Sequence, residues 1–134
     1  MQVADGAIDE TIPSEEQAIR LSPRDPYIFN RYLVIGEVHL LQSRTEEAIV
    51  WLERARAANP ASVFPRTWLA SAYALKGDVD HAINELAEAH RLGSSGGYYS
   101  INRMRGGYWG TPAIRALHEA TFFAGLRKAG VPEK

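Results

Sequence analysis

The chain of 134 residues repeats itself with a period of 34, which limits its fold more than any other feature. The stretch EEAIVWLERARAANP (46–60) returns as DHAINELAEAHRLGS (80–94), with Ala, Ile, Leu and Ala at the same offsets. A shift of 34 pairs apolar or small residues with each other: Ile35 with Leu69, Gly36 with Ala70, Leu41 with Leu75, Ala48 with Ala82, Ile49 with Ile83, Leu52 with Leu86, and Ala55 with Ala89. The charged residues differ between the copies, so the repeat preserves a packing geometry.

Each copy predicts two helices. In the first copy, apolar residues at helical spacing follow SPRDP, with Asp25 as a cap and Pro26 in the first turn. The segment QSRT (42–45) breaks this helix, and a second helix runs from Thr45 to Asn59-Pro60, where the residue before proline avoids the helical region.

The second copy follows the same plan. Ser62 is predicted to cap its first helix and Pro65 to lie in the first turn. The sequence KGD (76–78) predicts a turn, and Asp80 opens a helix that ends at Leu92. Since helices approach closely only where side chains are small, the repeated Gly and Ala residues predict helix contacts.

These features divide the chain into three parts. Residues 1–25 are predicted to be a partial repeat, because AIRLSP (18–23) resembles the end of a second helix. Residues 26–96 hold two full units, about 29–62 and 63–96. Residues 97–134 are predicted to be a linker and a capping helix. GSSGG (93–97) and RGGYWG (105–110) are the joints, YYSINRMR lies between them as a short helix, and Thr111-Pro112 starts the last helix.

The chain resembles the tetratricopeptide repeat family at its period of 34, its small residues (Gly36/Ala70, Ala48/Ala82, Ala55/Ala89) and its closing Pro60. The resemblance implies an all-α fold of antiparallel helix-turn-helix repeats, an α-solenoid, with an additional C-terminal helix. The sequence departs from the family at three places. The family's early aromatic position holds Tyr32 in one unit but Arg66 in the other. The position usually taken by tyrosine holds His39 in the first unit and Tyr73 in the second. Ser94 stands at the position of the closing proline.

The segments AIRLSPRDP and GLRKAGVPE also resemble the repeat region of multidomain bacterial proteins. In those proteins the repeats follow a nucleotide cyclase catalytic domain or a DNA-binding regulatory domain. This resemblance implies an alternative function, as the regulatory or dimerising C-terminal arm of a cyclase-type enzyme whose catalytic domain this chain lacks.

The residues give little support for catalysis or for cofactor or metal binding. The chain has no cysteine, and His81 with Glu85 does not complete a His-Glu-x-x-His zinc motif. GSSGG lacks the Lys-Ser/Thr that completes a phosphate-binding loop. We therefore expect no catalytic residue, no cofactor and no metal, and we interpret the protein as a non-enzyme.

Charge and hydropathy restrict the partners and the location. The formal net charge is −1, so nucleic acid and membrane surfaces are not expected as partners. No apolar run approaches the ~18 residues that cross a bilayer, and the acidic N-terminus has no apolar signal core. The expected location is cytoplasmic.

The function predicted from the resemblance is protein–protein interaction or self-association. In the family, the first helices line a concave groove that holds a peptide or a partner helix. Mapped onto this chain, that groove face consists of Asn30, Leu33, Val34, Glu37, Leu41, Phe64, Thr67, Trp68, Ser71 and Leu75. The face is mostly apolar and lacks the Lys/Asn set that clamps a terminal carboxylate in chaperone-binding members.

An apolar groove favours an amphipathic helix as its ligand. That helix could come from the chain's own tail or from a second copy of the chain. Two repeats are fewer than the three usually needed for stability. The tail helix or a homodimer partner is therefore expected to cover the exposed end. Trp51, whose counterpart is Glu85, is expected to face outward or toward the partial first unit.

Overall fold

A computed structural model describes residues 8–93, 100–106 and 111–134. All regular structure in these ranges is helical, as predicted. The helices are α1 (Ile8–Leu21), α2 (Ile28–Leu41), α3 (Thr45–Ala58), α4 (Val63–Lys76), α5 (Val79–Leu92), α6 (Ile101–Gly106), α7 (Pro112–His118) and α8 (Ala124–Lys128). A π-helical segment, Glu119–Phe123, joins α7 to α8 without a break, and we call residues 112–128 the tail helix.

The helices pack in a repeat-like order. Helix α2 packs on α3 and α4 packs on α5, and each pair is joined by a short turn, which makes its helices antiparallel neighbours. Helix α3 also packs on α4, which joins the two pairs, and α1 packs on α2. The tail helix lies against α2 and α4, the first helix of each pair.

Several helix ends follow from capping chemistry read in the sequence. The Ser62 hydroxyl accepts a hydrogen bond from the Phe64 amide at 3.4 Å, and the Thr111 hydroxyl accepts one from the Ile114 amide at 3.3 Å. Helix α4 ends at Gly77, which has φ +98°, a conformation that favours glycine. Helix α3 ends at Ala58, just before Asn59-Pro60.

Two predicted helix starts differ from the structure. Helix α2 begins at Ile28, and the Asp25 carboxylate accepts from the Tyr27 amide at 2.9 Å in the turn before it. Pro26 lies in that turn, because the local hydrogen bond of Asp25 competes with the helix. Helix α5 begins at Val79, and its cap is Asp78, which accepts from the His81 amide at 3.3 Å.

The repeated small residues lie at buried helix contacts, as predicted. Ala48, Ala55, Ala70 and Ala82 are fully buried. At Gly36 an added Cβ would lie 2.6 Å from Leu52 Cγ, so α2 and α3 approach too closely for any side chain there. The small residues thus set the spacing between helices.

One pair of equivalent repeat positions carries different chemistry in the two units. In the first unit the Tyr32 and Trp51 rings contact each other with centroids 5.9 Å apart. In the second unit the same positions hold Arg66 and Glu85, with Arg66 Nη1 3.5 Å from the carboxylate. An aromatic contact and an ion pair thus occupy the same place between the first and second helix of a unit. Trp51 is half-buried.

The chain end returns to α6. The amides of Ile101 and Asn102 donate to the carbonyls of Pro132 and Glu133, both at 2.9 Å. Arg105 on α6 donates to both carboxylate oxygens of Glu119 in the tail helix, at 2.7 and 3.1 Å. Residues 100–106 and the tail helix therefore form one hydrogen-bonded unit. Most of both predicted joints (94–97 and 107–110) lies outside the described residues.

Candidate functional site

The ten residues of the predicted groove face lie on α2 and α4, where the tail helix packs. Most are shielded from solvent. Buried are Leu33, Glu37, Leu41, Thr67, Trp68 and Ser71; half-buried are Val34 and Leu75; exposed are Asn30 and Phe64. The two exposed residues lie near the N-terminal ends of their helices, so the face is covered along its middle and open at one edge.

Trp68 contacts the tail helix through its ring. Its indole stacks on the Phe122 ring, with centroids 3.9 Å apart and planes 17° apart. The His118 ring meets the indole edge-on at 5.8 Å. Trp68 is only 7% exposed, so the tail helps to enclose a side chain that the sequence placed on the groove face. Stacked aromatic pairs contribute about 0.5–1.5 kcal/mol beyond their buried area.

Ser71, one turn further along α4, fixes the distance between the helices. Its hydroxyl donates to the Phe122 carbonyl at 2.8 Å. An added Cβ at Gly125 would overlap the Ser71 Oγ and carbonyl oxygen and would lie 2.9 Å from its carbonyl carbon. The two backbones therefore cross at a point where only glycine fits. The π-helical segment changes the regular hydrogen-bond ladder there, and such segments are frequent at functional sites.

The N-terminal part of the tail helix packs on the first unit. Ile114 is buried against Val38 of α2, with Val34, Leu117, Ile8 and Ile12 around them. Val38 and α1 were not among the predicted site residues. The apolar spacing of α1 and α2 predicts that each helix buries one face. It does not identify the helix against which that face packs.

Two titratable groups are buried in this region. Glu37 on α2 is 6% exposed, and burial raises its pKa to about 8. His118 on the tail helix is 5% exposed, and burial lowers its pKa below 6.5. Its Nδ1 donates to the Ile114 carbonyl at 3.0 Å, which fixes the tautomer at that nitrogen. Both groups are therefore uncharged near neutral pH.

A separate polar cluster links α3, α4 and α5. The Glu85 carboxylate, 8% exposed as a residue, pairs with Arg56 of α3 and Arg66 of α4. Nearby, the Tyr73 hydroxyl donates to Glu53 at 2.6 Å, and burial and this bond raise its pKa to about 12. Glu85 thus connects helices. His81, which was considered with Glu85 as part of a zinc motif, pairs instead with Asp78, at 2.6 Å between Nδ1 and the carboxylate.

Among the described residues, no group of three or more His, Asp or Glu side chains is placed to hold a metal ion. Within the same ranges, no helix combines the length and apolarity that a membrane crossing requires. The chain matches no known protein family model and no curated protein. The geometry of the groove face and its tail helix is therefore the basis for a functional proposal.

Proposed function

We propose that the protein is a non-catalytic, cytoplasmic tetratricopeptide-type module that binds an amphipathic helix through the groove face on α2 and α4. The observation that supports this most directly is the stack of Trp68 on Phe122. It is a contact between a groove side chain and a helix from a distant part of the chain. A mostly apolar face that already packs on a helix supports the proposal.

The chemistry of the tail helix defines the ligand. It brings an aromatic ring at Phe122 to Trp68 and a glycine three residues later to Ser71. Ile114 adds an apolar contact at the other end. A helix with an aromatic residue, then a glycine three positions on, and an apolar residue two turns earlier meets the same three contacts. The tail is the occupant within one molecule, and a partner helix of this kind competes with it.

A peptide of residues 111–130 tests the proposal in trans. The full-length Phe122→Ala chain has a weakened tail contact, so its groove should accept the wild-type peptide. A matched peptide with Gly125→Leu should not bind, because a side chain there overlaps Ser71. Binding is measured by isothermal titration calorimetry.

The control is the Phe122→Ala chain that also carries Trp68→Ala, which should lose the peptide. Equal binding of both peptides, or no binding by a chain whose tail amides exchange freely, would contradict the proposal.

A further inference from the structure

Helix α5 carries a partly exposed stripe of mostly apolar residues. It consists of Val79, Ile83, Leu86 and His90, spaced four, three and four residues apart, with Ala87 beside them. Val79 is 39% exposed, Ile83 is 50% exposed and Leu86 is half-buried. Alternation of four and three residues is the spacing by which two helices pack side by side. We call these five residues the α5 stripe.

The repeat shows what a stripe at these positions does. The counterparts on α3 are Thr45, Ile49, Leu52, Glu53 and Arg56. Ile49 is 7% exposed and Leu52 is fully buried. Leu52 lies against Gly36 of α2, and α4 also packs on α3. The described helix that packs most closely on α5 is α4, and this leaves the counterpart Ile83 half exposed. Ile83 of α5 is therefore half exposed at the position where Ile49 of α3 is buried.

The α5 stripe is also more apolar than the covered face of α3. Ala87 stands in place of Glu53, and His90 in place of Arg56. Glu53 finds a partner in Tyr73 and Arg56 finds one in Glu85, so the charges of α3 at these positions are paired. Burying Ala87 takes no charge out of water, whereas burying a carboxylate at this position requires such a partner.

We propose that the α5 stripe is a homodimer interface, in which α5 of one copy packs antiparallel to α5 of a second copy about a two-fold axis near Leu86. This register places Ile83 of each copy against the small Ala87 of the other. It also places Asp80, near the start of α5, opposite Arg91, near its end. A second copy thus supplies a matching apolar stripe and opposite charges at both ends.

The ends of α5 fit this arrangement. Asp80 and Arg91 are both exposed. Arg91 Nε donates to Glu88 in its own chain at 2.9 Å, and its side chain is 67% exposed, which leaves guanidinium surface for a second carboxylate. Two helices of 14 residues make a contact below about 1,200 Å², which is the class of transient interfaces. The proposal is independent of what binds the groove face.

Sedimentation equilibrium of the full chain tests the interface. We expect a reversible monomer–dimer equilibrium at micromolar concentration. Ile83→Asp should raise the dimer Kd by at least about tenfold, because it places charges against an apolar stripe. The matched control is Val50→Asp on α3, where Val50 is 48% exposed and lies outside the stripe positions. That variant should leave the Kd unchanged.

A charge exchange tests the orientation. Asp80→Arg and Arg91→Asp should each weaken the dimer by bringing like charges together, and the double variant should restore it. Both side chains lie in solvent, so these substitutions should not disturb folding. They therefore still test the interface if Ile83→Asp loses helicity. A chain that stays monomeric at high micromolar concentration, an equal effect of Ile83→Asp and Val50→Asp, or a double variant without restoration would overturn the proposal.

Discussion

The Trp68 indole and the Phe122 ring stack with their centroids 3.9 Å apart, which fixes the tail helix on α4. Both residues are buried, and they come from distant parts of the chain. The stack lies next to the Ser71–Phe122 hydrogen bond, so an aromatic contact and a polar contact hold the same turn of the tail. The contacts of Ile114 and Gly125 hold the tail before and after this turn.

Truncating the stack should release the tail before the repeats unfold. Phe122→Ala removes a buried ring, a change that costs about 3–5 kcal/mol in well-packed sites. We expect fast hydrogen exchange at the tail amides, from Ile114 to Leu126, while α2–α5 keep their protection. The control is Leu21→Ala, at a side chain 78% exposed. Equal loss of protection throughout the chain would show that tail and repeats unfold as one unit.

Gly125→Ala should destabilise the protein although alanine is the better helix former. In a solvent-exposed helix this change stabilises by about 1 kcal/mol. Here the new methyl group would overlap backbone atoms of Ser71, which cannot rotate away. A lower urea midpoint with unchanged m-value is the expected result. A higher midpoint would mean that the tail does not approach α4 as closely as described.

Stability should depend on pH through Glu37. Its pKa is raised from 4.5 to about 8 by burial, so the folded chain holds a proton that the unfolded chain releases above pH 4.5. The free energy of unfolding should therefore fall as the pH rises from 4.5 to 8, by up to about 1.4 kcal/mol per unit. Glu37→Gln should remove this fall, and Glu10→Gln, at an exposed position, should not. Urea titrations across this range measure the effect.

His118 acts at the acid side. Burial lowers its pKa below 6.5, so its contribution to stability is present above pH 6.5 and declines as the pH falls below that value. In His118→Gln, the free energy of unfolding should fall less steeply below pH 6.5, while its fall between pH 4.5 and 8, attributed to Glu37, should remain. An unchanged acid limb in this variant would contradict the assignment to His118.

Breaking the part-buried charge pairs of the second unit should cost more than replacing them. Glu85→Ala leaves Arg66 and Arg56 without their carboxylate, and the cost should stay below the value of about 3–5 kcal/mol for a fully buried pair, because both arginines are half-buried. The double variant Arg66→Tyr with Glu85→Trp copies the Tyr32–Trp51 contact of the first unit. It should recover most of that loss, as judged by the unfolding free energy. A double variant no better than Glu85→Ala would show that the two units are not interchangeable at this contact.

The sequence predicted the helices well because their ends depend on neighbouring residues. Ser62, Gly77 and Thr111 act through bonds and backbone angles within a few positions of themselves. The start of α2 was misplaced because Asp25 bonds to the Tyr27 amide before the helix begins. In that case two local structures compete, and residue preferences alone do not rank them.

The site was only partly predictable. The repeat placed Trp68 and Ser71 on one face, but two sources of a ligand helix stayed open, and the tail was one of them. The role of Gly125 could not be predicted. In the sequence, a glycine that allows two helices to cross closely looks the same as a glycine that only weakens a helix. The burial of Glu37 was likewise hidden, because a single acid on a helix face is usually solvated. These features depend on contacts between distant segments.

The hydrogen bond from Ser71 to Phe122 also bears on the order of assembly. It joins residues 51 apart in the chain, whereas helices within each pair are joined by short turns. Closing a longer loop costs more chain entropy, so contacts between neighbouring helices form first. We therefore expect the helix pairs to present an open groove early in folding. During that interval, the groove is open to a partner helix as well as to the tail.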